Sequence, residues 1–145
     1  MILYEEPTKQ VFISHSSKDG RIIRLIEQYF KETFKGSILP FFANKWITGE
    51  NPAEKITREM RNSKVLFVLM TKNVVDDRKT RDWVLFEIGI AKGIGKKIYA
   101  WKTVDIEVPE PVTMITDYVP FDPKDEEDIK KVVGAMMNIA YDLST

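Results

Sequence analysis

The sequence contains no cysteine and a single histidine, His15, among its 145 residues. The missing cysteines exclude a disulfide framework, a thiolate zinc site and a cysteine nucleophile. One histidine likewise argues against a histidine-based metal site. We therefore predict that the protein binds no metal and carries no cofactor.

Neither sign of charge is in excess, because 22 basic residues balance 22 acidic ones. Because the net charge is zero, neither nucleic acid nor an anionic membrane is an expected partner. The apolar runs are short, and none approaches the ~18 residues of a membrane span. The first six residues also lack the basic start of a secretory leader. We expect a cytoplasmic protein.

The hydrophobic content of 43% is sufficient for the core of one domain, which we assign to residues 1–145. Short apolar runs rich in β-branched and aromatic residues predict five strands. These strands are Val11–Ile13, Ile38–Phe42, Val65–Met70, Ile98–Trp101 and Tyr118–Phe121. Helical spacing of apolar residues predicts helices at 22–34, after Asn51, from Trp83 to about Lys92, and after Asp125.

Two further segments take their interpretation from composition. Gly93 and Gly95 are typical of a helix C-cap turn. Lys72–Asp82 carries both signs of charge, which favours a solvated loop or a lid.

The alternation of strands and helices indicates an α/β fold, a flavodoxin-like three-layer sandwich with a five-stranded parallel sheet. Ligands of such sheets bind at the carboxyl ends of the strands, near the point where strand order reverses. This rule selects the loops after Ile13, Phe42 and Met70 as candidate ligand-binding segments.

Three motifs occur in the order found in one known family. The segment Val11–Asp19 resembles the opening box of the Toll/interleukin-1 receptor (TIR) domain, and the loop around Gly49 resembles its BB loop. Trp83-Val84-Leu85-Phe86-Glu87 resembles the Trp-x-x-x-Glu motif of the same family. The chain thus resembles a stand-alone TIR protein of prokaryotic type.

The resemblance implies an enzymatic role for Glu87. In enzymatic TIR domains the glutamate of this motif cleaves NAD and releases nicotinamide, as a glycohydrolase or as an ADP-ribosyl cyclase that makes cyclic ADP-ribose. NAD is then a substrate, and the product serves immune or antiviral signalling. Other TIR domains are adaptors without turnover, so the same resemblance also implies self-association or binding of other TIR domains through the loop around Gly49.

The residues themselves give a second argument for Glu87. Trp83 and Glu87 share a helix face, and Ile90 and Ile94 continue it, so the carboxyl group is expected among apolar neighbours with a raised pKa. The alternative is a structural helix glutamate that either forms an ion pair, for example with Arg81 or Lys92, or extends its carboxyl group to solvent. A third hypothesis is a nucleoside deoxyribosyltransferase-like enzyme, which also places a glutamate beneath a ribosyl carbon.

The remaining candidate substrate-binding residues lie in two loops and on the motif helix. Ser14 and His15 follow the first strand, where backbone N–H groups could hold a pyrophosphate. Ser16 or Ser17 could instead only cap the next helix. Asn44 and Trp46 belong to the loop after the second strand, which could close over a ligand or contact a partner. Trp83 is a candidate stacking residue.

Overall fold

The computed structural model describes residues 9–43, 51–108 and 118–144. The strands are β1 (Lys9–Ser14), β2 (Ile38–Phe42), β3 (Ser63–Met70), β4 (Ile98–Thr103) and β5 (Tyr118–Phe121). The helices are α1 (Gly20–Phe34), α2 (Pro52–Asn62), α3 (Lys72–Val75), α4 (Arg78–Gly93) and α5 (Glu126–Ser144). All five predicted strands are confirmed, and β1 begins two residues earlier than the apolar run that predicted it.

The strands form one parallel sheet in the order β2-β1-β3-β4-β5. This is the flavodoxin-like order, so the predicted fold class is confirmed. Strand β1 lies between β2 and β3, and Ser14 at its end pairs with Val68. The direction in which strands are added to the sheet reverses at β1, because β2 lies on one side of β1 and β3 lies on the other. The ligand-binding crevice of such sheets lies at this point.

Alternation along the strands separates the core into two layers. The layer under α1 and α5 contains Val11, Ile13, Ile26, Phe30, Phe67, Val133 and Met136. The layer under α2 and α4 contains Phe12, Ile56, Met60, Leu66, Val68, Val84 and Ile88. Residues 65–70 of β3 are fully buried, as expected for a central strand covered on both faces.

The sequence signals at two helix ends are confirmed. Asn51 caps α2, since its Oδ1 accepts from the backbone N of Ala53 at 2.9 Å, and Pro52 occupies the first helical position. Helix α4 ends at Gly93, and Gly95 follows with a φ of 78°, a conformation that glycine adopts without strain.

The prediction of a loop over Lys72–Asp82 is wrong. This segment contains α3 and the first turn of α4. Both helices have side-chain caps, because Thr71 accepts from the backbone N of Val74 and Asp77 accepts from that of Lys79. Polar composition is equally compatible with a solvated loop and with short capped helices that expose their charged faces.

Candidate active site

Ser14 and Glu87 meet at the carboxyl end of β1. The Ser14 hydroxyl donates a hydrogen bond to Oε1 of Glu87 over 2.9 Å. Ser14 is fully buried, and Glu87 is 2% exposed. Strand β1 and helix α4 therefore bring together two predicted site residues that are 73 positions apart in the chain.

The burial of Glu87 follows from its position on α4. The residues of α4 that are buried are Val84, Glu87, Ile88 and Ala91. Their spacing of three or four residues is that of one helix face, and this face packs on the sheet. Trp83, Ile90 and Ile94, which are predicted to share a stripe with Glu87, lie half-buried beside this face and pack against the same core layer.

The carboxyl group of Glu87 lacks a compensating positive charge in the described part of the chain. Burial raises its pKa from the usual 4.5 to about 8, and the hydrogen bond from Ser14 opposes part of that rise. Arg81, one proposed ion-pair partner, donates to the carbonyl oxygen of Val75 instead. Lys92, the other, lies on the exposed side of α4. The structural ion-pair alternative is therefore wrong for these two partners. Among the described residues, burial favours the protonated form of Glu87.

Trp83 belongs to an aromatic pair one turn before Glu87. Its ring lies 5.5 Å from that of Phe86, with 36° between the ring planes. Phe86 is 39% exposed, and Trp83 is half-buried. Sequence reasoning missed Phe86, although its spacing of three residues from Trp83 places both on one side of a helix. Stacking of Trp83 on a ligand stays a prediction.

His15 packs on the opposite face of the sheet from Ser14. Its Nδ1 lies 3.1 Å from the carbonyl oxygen of Ile13, and its ring contacts Phe42 edge-on at 5.1 Å. Phe42 borders the core layer under α1 and α5, whereas Glu87 belongs to α4 on the other side. Burial lowers the pKa of His15, so the imidazole is neutral at neutral pH. Contact of His15 with a substrate stays a prediction.

The loop after β1 is tied to the loop after β3. Asp19 accepts hydrogen bonds from the Thr71 hydroxyl and the Asn73 amide, each over 2.6 Å. Asp19 is also the N-cap residue of α1, so the prediction that Ser16 or Ser17 caps this helix is wrong. The Ser16 hydroxyl accepts from the backbone N of Lys18 within the loop. Sequence reasoning missed this network, although sheet topology places both loops at one edge.

Two predicted substrate-binding residues, Asn44 and Trp46, lie outside the described residues, as does the loop around Gly49. Over the described ranges, no group of three or more acidic or histidine side chains is arranged to hold a metal ion. None of the helices in these same ranges has the length and apolar character needed to cross a membrane.

A sequence model described as TIR domain matches residues 11–133. The chain belongs to the TIR domain family. The resemblance carried by the three motifs is thereby confirmed at the level of the family. A search of curated proteins gives no match.

Two solved structures share the fold of this TIR domain. The TIR domain of the Toll-related receptor TRR-2 from Hydra magnipapillata superposes with a TM-score of 0.59 at 19% identity, covering 93% of this chain and 98% of that chain. A 2-desoxiribosyltransferase from Leishmania mexicana superposes with a TM-score of 0.54 at 14% identity, covering 87% of this chain and 97% of that chain. At these identities the likeness is one of fold.

The Ser14–Glu87 pair gives a prediction for pH dependence. Ser14→Ala removes the hydrogen bond that favours the charged carboxylate, so we expect the pKa of Glu87 to rise further. If the domain cleaves NAD with Glu87 as a carboxylate, the rising limb of kcat/KM for NAD against pH moves to higher pH, and kcat/KM near neutral pH falls about tenfold. Ser17→Ala is the matched control, since Ser17 is exposed in the same loop. A profile in Ser14→Ala that coincides with the wild type would contradict this role.

Proposed function

We propose that this TIR domain is an NAD nucleosidase that uses Glu87 to release nicotinamide. The observation that carries the proposal is the burial of Glu87 at the carboxyl end of β1, with Ser14 as its hydrogen-bond partner. A carboxyl group with a strongly raised pKa in such a place is a candidate functional group. In members of this family that cleave NAD, the motif glutamate is the catalytic residue.

The chemistry suits a single carboxylate. Cleavage of the bond between C1′ of the ribose and the pyridinium nitrogen sends the bonding pair to nicotinamide, which leaves as a neutral molecule. No general acid is needed, unlike in ordinary glycosidases, which protonate their leaving group. The remaining positive charge develops on the ribosyl group, where an ionised Glu87 stabilises it.

The positive charge on the pyridinium ring of NAD is expected to promote ionisation of Glu87. Bringing that cation close to the buried carboxyl favours the charged form, so bound substrate lowers the pKa of Glu87 and a proton leaves the site. In the free enzyme half of the Glu87 carboxyl groups are ionised at about pH 8, and the ionised fraction falls about tenfold for each pH unit below that. We therefore expect kcat/KM for NAD to rise between about pH 6 and about pH 8.

Capture of the ribosyl cation decides the product. Attack by water on C1′ releases one proton and gives ADP-ribose, whereas attack by a nitrogen of the adenine ring gives a cyclic derivative. Both reactions begin with the same bond cleavage, so both use Glu87 in the same way. Candidate residues for holding the rest of NAD are Ser14, His15, Asn44, Trp46 and Trp83. Such a product would serve in immune or antiviral signalling.

A second candidate is transfer of a deoxyribosyl group between free bases. The superposition on the 2-desoxiribosyltransferase supports this alternative at the level of the fold. Nucleoside deoxyribosyltransferases also place a glutamate beneath a ribosyl carbon. The third candidate is an adaptor that associates with other TIR domains, as family members commonly do, through the loop around Gly49. An adaptor requires no turnover.

One set of incubations separates these functions. Purified wild-type protein at high concentration is incubated with NAD, with NADH, and with a deoxynucleoside plus a free base, and the products are resolved by chromatography. We expect nicotinamide from NAD and no cleavage of NADH, because the reduced ring lacks the cationic leaving group. Base exchange without NAD cleavage would establish the transferase. No reaction with any substrate, together with concentration-dependent assembly, would establish the adaptor.

A further inference from the structure

Asp19 links two loops at the edge of the sheet where Glu87 lies. Its Oδ2 accepts from the Thr71 hydroxyl, and its Oδ1 accepts from the Asn73 amide, both over 2.6 Å. Both carboxylate oxygens thus accept hydrogen bonds from residues more than 50 positions away in the sequence. Hydrogen bonds to an ionised acceptor are short and about twice as strong as neutral ones. We call Asp19, Thr71 and Asn73 the Asp19 clamp.

The side chain of Asp19 does not cap α1, although capping is the role that its position favours. Aspartate at an N-cap normally accepts from the first backbone N–H groups of its own helix. Asp19 is the N-cap of α1, yet it makes no side-chain capping bond. Thr71, in contrast, is 3% exposed and accepts from the backbone N of Val74 at the start of α3 while donating to Asp19. The carboxylate is therefore committed to joining the two loops.

The Asp19 clamp spans β1 and β3, the strand pair at which strand order reverses. Ser14 is the last residue of β1 and pairs with Val68, so the loops that follow the two strands emerge side by side. Residues 15–18 lie between Ser14 and Asp19 and are held at both ends, at Ser14 by the hydroxyl bond to Glu87 and at Asp19 by the clamp. Within this span, the backbone N of Asp19 also donates to the carbonyl oxygen of Ser16 over 3.0 Å.

We propose that Asp19 is a positioning residue of the Ser14–Glu87 site, which keeps the loop of residues 15–18 ordered before substrate binds. This inference rests on the proposed function, because it assigns the loop to substrate binding. A loop ordered in advance costs less conformational entropy when ligand binds. Loss of the clamp transfers that cost to the binding step, so the effect falls on KM.

Exchange of the two polar groups tests the clamp. Asp19→Asn places two amides against each other, and Asn73→Asp places two carboxylates together. The double variant Asp19→Asn/Asn73→Asp restores one amide, one carboxylate and the wild-type net charge. In it, the amide oxygen introduced at position 19 can still accept from Thr71. We expect each single variant to raise KM for NAD about tenfold or more, and the double variant to return KM to within about threefold of the wild type.

Asp125→Asn is the matched control. The Oδ1 of Asp125 accepts from the backbone N of Glu127 at the start of α5, so this aspartate is a plain helix cap. All variants are assayed at a temperature where circular dichroism shows them fully folded. A purely structural loss reduces the folded fraction, which lowers the apparent kcat and leaves KM unchanged. We expect the control to keep the wild-type KM.

The possible outcomes distinguish failure of the positioning role from failure of the proposed function. Unchanged KM in both single variants, or a raised KM that the double variant fails to restore, overturns the positioning role. If the wild type itself does not cleave NAD, the proposed function fails. The ordering of the loop by the Asp19 clamp is then tested by NMR relaxation of the backbone amides of residues 15–18. Greater mobility in both single variants with recovery in the double variant supports it, and equal mobility in all proteins overturns it.

Discussion

Replacement of Glu87 by glutamine is expected to lower kcat/KM for NAD by at least about a thousandfold, because it removes the negative charge that we propose stabilises the developing ribosyl cation. Glutamine has nearly the same shape as glutamate, and its side-chain oxygen can still accept from Ser14. The variant is therefore expected to fold like the wild type. Nicotinamide release measured by chromatography over a range of NAD concentrations gives kcat/KM for both proteins.

Asp82→Asn provides the matched control for this measurement. Asp82 lies on the same helix, and its exposed carboxylate is 3.9 Å from Arg78, so the substitution makes the same chemical change far from the buried face. We expect the control to keep kcat/KM within about twofold of the wild type, since exposed ion pairs contribute little. NAD cleavage that persists in Glu87→Gln would assign catalysis to another residue.

The elements of the fold could be predicted because their signals are local. Each strand is a short apolar run, and each long helix shows apolar residues at the 3.6-residue period. The alternation of these strands and helices along the chain predicts a parallel sheet. Strand order came from the fold class. The segment 72–82 escaped prediction because capped helices with exposed charges have the composition of a loop. Its capping residues, Thr71 and Asp77, are visible in the sequence but equally common in turns.

The site could be predicted only in part. The family motif predicts Glu87 as a site residue, and this role stays a prediction. Helical spacing predicts its apolar surroundings, which the core layer under α2 and α4 confirms. The predicted stripe through Trp83, Ile90 and Ile94 lies at one side of the buried face, which is centred on Val84, Ile88 and Ala91. A shift of one residue turns a helix face by about 100°. Sequence periodicity alone left this choice open, because apolar residues occur on both sides of α4.

Contacts between distant residues set the rest of the site. Ser14 was a predicted substrate-binding residue, but its hydrogen bond to Glu87 depends on how α4 packs on β1. The Asp19 clamp joins residues 52 and 54 positions apart, and nothing in the local sequence distinguishes it from ordinary capping. Such hydrogen bonds follow from the register of β1 and β3, which only the folded sheet supplies.

Stability should depend on pH through Glu87 in a direction opposite to that of most carboxyl groups. The folded pKa of about 8 exceeds the usual 4.5, so between these values the native state holds a proton that the unfolded chain has released. The stabilisation by the protonated group is complete below the unfolded pKa and is lost as pH rises through about 8. The physical cause is burial, since no counter-charge lies beside Glu87 in the described part of the chain.

Glu87→Gln isolates this contribution, because the amide does not titrate. The free energy of unfolding of the wild type minus that of the variant is expected to fall by roughly 4 kcal/mol between about pH 5 and about pH 9. Urea denaturation at a series of pH values measures it. Titration of His15, whose pKa burial lowers, is common to both proteins and cancels in the difference. A difference that stays constant with pH would mean that Glu87 is ionised in the native state, and the site would then need a positive charge to compensate it before substrate arrives.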